Sequence, residues 1–433
     1  MLNDFDINNP PSNFCSVPWL QIHTEPDGEV QPCCYFSKWH ELGNWKNNTI
    51  KEIYHGEKWN SLRKQFLNNE QPMGCSQCFK EEKFGIDSTR TRFNKMYQQT
   101  FDKHRRPHNK FIDIVAHTNS DGSVNDQLKL STVDLIFNNL CNYKCRSCSP
   151  GYSTNWSQDA IKIAQLKGQH PPVFSVLLDN SKIDHLTEDL SDLVALIDDY
   201  SEVHFTGGEP MMQAEHYTFL SMLIAAGKTD VRIRYNTNLS VHELNGIDVF
   251  DLLKQFSDVF IIGSIDAIGA QGEYIRSGFV WETALNWLDK AMEKLPRANF
   301  GISLVYSMLN SFAAVDVHSF LLSQPKYSNF GFYLNILHGP SWLKPTLLPL
   351  DVKTEVVAKI KLHIDHIQTL IQSDTIKSSL GHWIDTLKYL ESSDESGQLS
   401  TFFKETKLLD QIRNEDFKTT FPELYEKLKH YDI

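Results

Sequence analysis

"NNLCNYKCRSCSPGY", residues 138–152, places Cys141, Cys145 and Cys148 within one short stretch. A structural zinc site takes four ligands and a disulfide takes two, so three thiols at C-x3-C-x2-C spacing fit neither. They fit a four-iron, four-sulfide cluster in which three irons each carry a cysteine and the fourth keeps an open position. An open coordination position is where a substrate or cofactor binds, by the logic that separates catalytic from structural zinc.

Outward from this stretch, short apolar runs alternate with amphipathic helical patterns. The runs are "TVDLIFN" (132–138), "EVHFT" (202–206), "VRIRYNT" (231–237), "VFIIGSI" (259–265), "FGISLVY" (300–306) and "FGFYLNIL" (330–337). Helix patterns such as "YTFLSMLIAAG" (217–227) and "WETALNWLDKAMEKL" (281–295) lie between them. Strand–helix alternation predicts an α/β fold with a parallel sheet and crossover helices, here an open or partial (β/α)6 barrel. The longer gap at 150–200 reads as an inserted helical pair. In such folds ligands bind beyond the C-terminal ends of the strands. The cysteine triplet follows the first run, "TGGEP" (206–210) the second, "NTN" (236–238) the third and "SIDA" (264–267) the fourth. These segments are expected to meet on one rim.

The whole chain sets further bounds. At 433 residues it exceeds one ordinary core, and its composition, 41% apolar and 22% charged, is globular. The longest apolar stretch, residues 259–270, contains Asp266 and is too short to span a bilayer. The N-terminus lacks the basic and apolar regions of a signal peptide, so a cytoplasmic protein with no membrane partner is expected. A formal charge of −12 argues against nucleic acid as a partner, and the basic run "KHRRPHNK" (103–110) reads as a solvated linker. Eight cysteines in a reducing compartment are not expected to pair, and their clustering reads as metal binding. The boundaries drawn are a cysteine-rich α+β domain at 1–100, a linker at 101–129, the barrel at 130–345 and a helical C-terminal extension at 346–433.

"CNYKCRSC" resembles the cluster motif of the radical S-adenosylmethionine (radical SAM) enzymes, and "GGEP" resembles that family's glycine-rich SAM-binding motif. The resemblance implies a [4Fe-4S] cluster on Cys141, Cys145 and Cys148 whose open iron chelates the amino and carboxylate groups of SAM. Electron transfer into SAM then yields methionine and a 5′-deoxyadenosyl radical that abstracts hydrogen from a substrate. Gly207 and Gly208 let the backbone approach a ligand, Glu209 is placed to accept from the SAM ammonium, and Pro210 pre-sets the following helical turn. Asn238 and Ser264 stand where family members contact ribose or the SAM carboxylate. Asp266 and Arg276, in "SIDAIGAQGEYIRSG", resemble a segment of one large branch, in which Arg276 would fork onto the SAM carboxylate. Taken one at a time, these residues read equally well as caps or ion pairs. Ser147 stands where many members carry an aromatic residue against adenine, so that packing is expected near Leu337 and His338.

The other five cysteines lie in "CSVPWLQIHTEPDGEVQPCC" (15–34) and "GCSQC" (74–78). Around "LGNWKNNTIKEIYHGEKWNSLRKQFL" (42–67) they resemble the auxiliary-cluster domain called SPASM in its full form and twitch in its short form. That domain usually follows the barrel and here precedes it. Five cysteines imply one auxiliary [4Fe-4S] cluster, with Cys15, Cys75 and Cys78 as ligands. Cys33 or Cys34 is the fourth, and the spacing of Cys33 from Gly28 matches the family pattern. A zinc ribbon on the same four cysteines is the competing reading.

No catalytic residue beyond the cofactor set is legible. Relatives with auxiliary clusters modify ribosomal peptides or small sugars and alcohols. The resemblance therefore implies a peptide-modifying enzyme first and a dehydrogenase or epimerase of a carbohydrate-like molecule second. Either needs a reducing partner of the flavodoxin or ferredoxin type. A non-catalytic iron–sulfur redox sensor, or a zinc-stabilised interaction protein, is the alternative outside enzymes. "HIDH" (363–366) puts two histidines on one helix face and reads as solvated rather than metal-binding.

Overall fold

The computed structural model describes residues 5–37, 39–83, 85, 87–101, 107–170, 186–370 and 373–432. In chain order the elements that position the chemistry are β1 (Gln21–Thr24), β2 (Val30–Gln31), α1 (Glu57–Leu67), α2 (Ser76–Lys83), α3 (Thr89–Gln98), β3 (Leu130–Leu135), α4 (Ser157–Leu166), α5 (Leu186–Leu196), β4 (Ile197–Phe205) and α6 (Ala214–Ala225). There follow β5 (Arg232–Thr237), β6 (Asp258–Ser264), α7 (Trp281–Lys294), β7 (Asn299–Tyr306), α8 (Ala314–Ser323), β8 (Gly331–Ile336), α9 (Leu350–Thr369), α10 (Asp374–Ser392) and α11 (Leu399–Arg413). All six apolar runs are strands, and the fold is the expected α/β class with a helical C-terminal region. Among the described residues no helix is long and apolar enough to cross a membrane.

The chain packs as two units: residues 1–139, 176–235 and 243–259 form one, and residues 140–175, 236–242 and 260–433 the other. In the first unit β1, β3, β4 and β5 run parallel in that order, and β2 closes the β1 edge antiparallel. β1 comes from the cysteine-rich segment, which therefore shares a sheet with β3. One face of this sheet is apolar. Phe205 of β4 stacks on Tyr235 of β5 at 5.2 Å and meets His216 and Phe219 of α6 at 4.7 and 6.3 Å. Burying an aromatic of this size contributes about 1.5–3 kcal/mol. The alternating residues of the same strands are polar and face the other way.

The stretch read as a linker contains the helix Lys110–His117, whose Phe111 packs edge-on against Phe14 at 5.3 Å. Residues 103–106 of the basic run lie outside the described residues. Its last residue is not solvated: the Lys110 ammonium is buried 3.3 Å from Asp198 and lies over the Tyr200 ring. In the gap at 150–200, α4 and α5 are helical and residues 171–185 lie outside the described residues.

In the second unit β6, β7 and β8 are parallel in continuous register. α10 lies on β8, where Trp383 stacks on Phe332 at 5.9 Å. Trp383 Nε1 donates to His318 Nδ1 at 3.1 Å, and the same nitrogen stands 2.9 Å from His363 Nε2. His363 is thus buried and hydrogen-bonded across α8 and α9, a correction to the solvated reading of "HIDH", of whose two histidines only His366 is exposed. Three mutually facing apolar elements make this the dry side of α9.

Burial holds both imidazoles neutral, His318 near 3 and His363 near 4 against an ordinary 6.5. The unfolded chain therefore binds more protons than the folded one as pH falls below 6.5, so stability is present above that value and is lost toward pH 4. Thermal melting between pH 7 and pH 4 is expected to show this loss, and the His318→Leu/His363→Leu variant a shallower slope. An unchanged slope would remove the pair as its cause.

Candidate metal centres

In the first unit, Cys15 precedes the short helix Val17–Leu20 and Cys33 follows β2. Cys75 ends the 3-10 turn Met73–Cys75, and Cys78, three residues on, lies in α2 on the same helical side. Cys15, Cys33, Cys75 and Cys78 line one pocket, with Val17, Phe36 and Arg90 among its other walls. Cys34 is exposed and does not line it.

Arg90 ties the two halves of the centre together. It forks onto Glu82 of α2 at 2.9 and 2.5 Å and donates to the Phe14 carbonyl, next to Cys15, at 2.6 Å. Burial drives the thiols upward: Cys15 to about 12, and Cys33 and Cys75 well above the ordinary value. The negative charges these sulfurs would carry also oppose one another, Cys33 against Cys75 and Cys15, and Cys75 against Cys15 and Cys78. Thiols in this state become ligands only when a cationic group arrives to hold them as thiolates. Among the described residues, no three His, Cys, Asp or Glu side chains converge on a single-ion point. A cluster makes no such demand, because each thiolate binds a different iron.

In the second unit the loop 141–156 is laced to itself and to the segment after β6. Trp156 Nε1 donates to the Cys145 carbonyl at 2.7 Å, Ser153 Oγ to the Tyr143 carbonyl at 2.5 Å, and Thr154 Oγ1 to the Cys141 carbonyl at 3.3 Å. The amides of Lys144 and Arg146 donate to the carbonyls of Ser277 and Ile275 at 2.9 and 2.7 Å. Gly278 (φ +106°) permits this approach, since a Cβ there would sit 2.9 Å from the Tyr143 ring. Cys145 is buried, and Cys141 and Cys148 are half-buried. Burial raises the Cys145 thiol, with Arg276 opposing the rise, and burial together with Cys145 raises Cys148 to about 11.

This unit brings four of the other expected residues into the same region. Asp266, fully buried, accepts from Arg276 Nη1 at 3.0 Å and from the Val305 amide at 2.8 Å, so the carboxylate anchors the guanidinium to β7. Arg276 Nε is buried without a hydrogen-bond partner. Asn238 Nδ2 bonds Asn142 Oδ1 at 2.8 Å and lies 3.9 Å from Cys141 Sγ, while its Oδ1 accepts from Ser240 Oγ at 2.5 Å. Asn142 and Ser240, neither singled out in the sequence, complete this polar link; the neighbouring "NTN" was the available signal. The next residue, Leu239, holds a left-handed backbone (φ +62°) and is packed over Gly263. Ser264 ends β6 in register with Ser303. Leu337 continues β8 by its amide bond to the Tyr306 carbonyl, and His338 stands against Tyr389 at 5.5 Å.

The "TGGEP" turn belongs to the first unit. Gly207 adopts φ +92°, and a Cβ there would meet the Ile136 side chain at 2.4 Å. Pro210 opens the short helical turn that follows, and buried Glu209 caps it by accepting from the Met211 amide at 3.3 Å. Gly208 is half-buried beside them.

The polar face of the first unit's sheet carries a row the motifs did not announce. Gln31, His23, Asp134, His204 and Arg234 are successive register partners on β2, β1, β3, β4 and β5. His23 Nδ1 donates to Asp134 Oδ2 at 2.8 Å and its Nε2 faces Glu25 at 3.3 Å. Burial opposes the charge, but the two carboxylates overcome it and raise His23 to about 9. His204 Nδ1 faces the other Asp134 oxygen at 3.1 Å, and His204 Nε2 is buried without a partner.

Comparison with known proteins agrees with this geometry. Residues 135–310 match the radical SAM superfamily, and residues 15–79 match SPASM, an iron-sulfur cluster-binding domain. Residues 135–310 are therefore a radical SAM domain and residues 15–79 a SPASM domain. More particularly, the SPASM domain precedes the radical SAM domain. Such domains carry a [4Fe-4S] cluster with SAM and auxiliary iron–sulfur clusters respectively, which sets aside the zinc ribbon as the reading of the N-terminal cysteines.

No curated protein sequence matches the chain. Among solved structures, native anSMEcpe with bound AdoMet is 14% identical at a TM-score of 0.35, covering 53% of this chain and 58% of its own. Streptococcus suis SuiB is 14% identical at 0.31, covering 53% and 45%. The radical S-adenosylmethionine methyltransferase TsrM from Kitasatospora setae, with tryptophan substrate and a SAM analogue, is 13% identical at 0.30, covering 50% and 39%. The chain thus spans less than two thirds of the length of each.

Two outcomes follow from this geometry. Cys33→Ala is expected to lower the iron bound by reconstituted protein, by at most about the half that one cluster of two accounts for, and Cys34→Ala to leave it unchanged. Iron assay of both variants checks the assignment, and equal losses would sink it. Gly207→Ala should cost roughly 1–3 kcal/mol of stability through its backbone conformation alone, readable by denaturant melting.

Proposed function

We propose that the protein is a radical SAM enzyme that abstracts hydrogen from a peptide in order to modify it. The observation that carries the reading is Arg276. Anchored by Asp266, it lies close enough to Cys145 and Cys141 to feel their charge, with its buried Nε unspent. A planar fork held in this way suits a carboxylate.

In this reading Cys141, Cys145 and Cys148 hold the [4Fe-4S] cluster, and Arg276 takes the SAM carboxylate. When bound, the cluster and SAM supply a 5′-deoxyadenosyl radical for hydrogen abstraction. Asp266 orients Arg276. Asn238, with Asn142 and Ser240, and Ser264 serve ribose or carboxylate oxygens. Gly207 and Gly208 bring the backbone near the ligand, Glu209 receives the ammonium, and Pro210 starts the turn that holds it. Cys15, Cys33, Cys75 and Cys78 hold one auxiliary cluster, with Arg90 fixing the distance between Cys15 and α2. We assign residues 1–100 to the auxiliary-cluster domain, 101–129 to a connection, 130–345 to the radical core and 346–433 to an extension. A flavodoxin or ferredoxin supplies electrons, and a cytoplasmic setting keeps the free thiols reduced.

A second reading is favoured by the row on β2, β1, β3 and β4. The unspent groups there, His204 Nε2 and Gln31 Oε1, are both suited to accept from a ligand's hydroxyl or amine. That chemistry suits a carbohydrate-like small molecule as well as a peptide.

The first test is anaerobic, dithionite-driven formation of 5′-deoxyadenosine from SAM, beside the Cys141→Ala/Cys145→Ala/Cys148→Ala variant. Product from the wild type alone is expected. No product and no SAM binding at full iron loading would overturn the reading. Stimulation by peptides but not by polyols would select the first substrate class, and the converse the second.

A further inference from the structure

The residues on either side of Cys145 are held by the C-terminal extension. Arg146 is fully buried, and its Nη2 donates to Asp410 of α11 and to Glu415 beyond it, both at 2.5 Å. Its Nε donates to the Tyr274 carbonyl at 3.3 Å, and its guanidinium lies 3.7 Å over the Tyr274 ring. Tyr274 Oη in turn donates to Asp410 at 2.7 Å. Asn414, in the left-handed conformation (φ 55°), ends α11, and the Glu415 amide returns to the Asp410 carbonyl at 3.0 Å, which brings the Glu415 side chain back to Arg146.

On the other side, Lys144 Nζ donates to Asp159 of α4 at 3.0 Å, and Asp159 accepts from Arg413 Nε at 2.7 Å with both side chains about 1% exposed. Arg413 lies 4.9 Å over Trp156, whose Nε1 donates to the Cys145 carbonyl. Arg146 Nη1 and both terminal nitrogens of Arg413 are buried without hydrogen-bond partners.

So many buried charges around one loop are costly unless their geometry matters, because replacing a buried ion pair with apolar groups is often neutral or stabilising. An extension that only covered the second unit would need Leu and Phe at these places. Instead it supplies Asp410, Arg413 and Glu415, placed to grip the residues flanking Cys145 and no others of the triplet.

We propose that the C-terminal extension is a brace for the radical cluster: Asp410 and Glu415 through Arg146, and Arg413 through Asp159 and Lys144, are positioning residues that fix Cys145 and set the charge around the cluster it holds. The inference rests on the reading of the triplet as a cluster site. Its residues do not touch substrate or SAM. Glu415 contributes one negative charge to the network, so its removal should favour the reduced cluster.

The experiment uses the full chain and two variants. Glu415→Gln leaves Arg146 one carboxylate and is expected to fold. Arg146→Gln/Asp410→Asn removes charge from both partners and avoids a stranded ion. In the cluster-free proteins, hydrogen exchange at amides 143–148 should quicken at least tenfold, with the β7 amides unchanged. After reconstitution, Glu415→Gln should keep the wild-type iron content while the midpoint potential of the SAM-responsive cluster signal moves upward. Unchanged exchange at 143–148 in both variants, or an unchanged or lowered potential in Glu415→Gln, would overturn the brace. Failure of the underlying reading would look different: wild-type protein would show no SAM-responsive cluster signal at all, while the exchange measurement would still report on the grip.

Discussion

Sulfur brought together in a dry place is the constraint on which the rest depends. Cys15, Cys33 and Cys75 have burial-raised pKa values, and each is opposed further by its neighbours. Among the described residues, the only cation lining their cavity is Arg90, already forked onto Glu82. One spent guanidinium cannot hold four thiolates side by side, so the centre reaches its charged form only by taking up metal. The surrounding structure is arranged for that event rather than for the thiols themselves. Phe36 and Val17 keep the walls dry, and Arg90 binds the Cys15 segment to α2 whether or not sulfur is ionised.

Strand register supplies the second ordering principle. In the first unit one phase of each strand is apolar and helix-covered, and the other carries Gln31, His23, Asp134, His204 and Arg234 as successive partners across five strands. A one-residue slip in any of these strands would exchange the two faces. The imidazolium of His23 between Glu25 and Asp134 therefore specifies register as well as charge. In the second unit β7 does similar work by lending the Val305 amide to Asp266, which fixes the plane in which Arg276 can present itself.

How much of this was legible follows from whether a signal is local. The six strands were visible because each is a run of β-branched and aromatic residues, and the triplet because its spacing is short. β1 was not: "QIHT" alternates apolar and polar over only four residues, and its place beside β3 is set by pairing more than a hundred positions away. Spacing from Gly28 favoured Cys33 over Cys34 without excluding either, and the structure places Cys33 in the cavity wall and leaves Cys34 exposed. Nothing in "HIDH" tells a buried histidine from an exposed one, since the partner of His363 is His318 on another helix. Arg146 inside "CNYKCRSC" carries no local sign of its partners, since Asp410 and Glu415 are separated from it by 264 and 269 residues.

The two metal centres differ in the groups left unspent around them, and this separates their chemistry. The N-terminal cavity offers four thiols and a guanidinium whose Nε and both terminal nitrogens are already bonded. If all four thiols bind, as proposed, such a donor set would satisfy every iron of one cluster and leave no position for a ligand, the arrangement expected of electron transfer or scaffolding. The second unit offers three thiols, and beside them a guanidinium anchored at one nitrogen and unpaired at another. In the proposed reading the cluster would keep one iron open beside the unpaired nitrogen of Arg276. A single molecule carrying an amine and a carboxylate would satisfy both, while its third substituent is left free to react. In that reading one ligand would serve both the open iron and the unpaired Arg276 nitrogen, and a site built only for stability would have closed either of them.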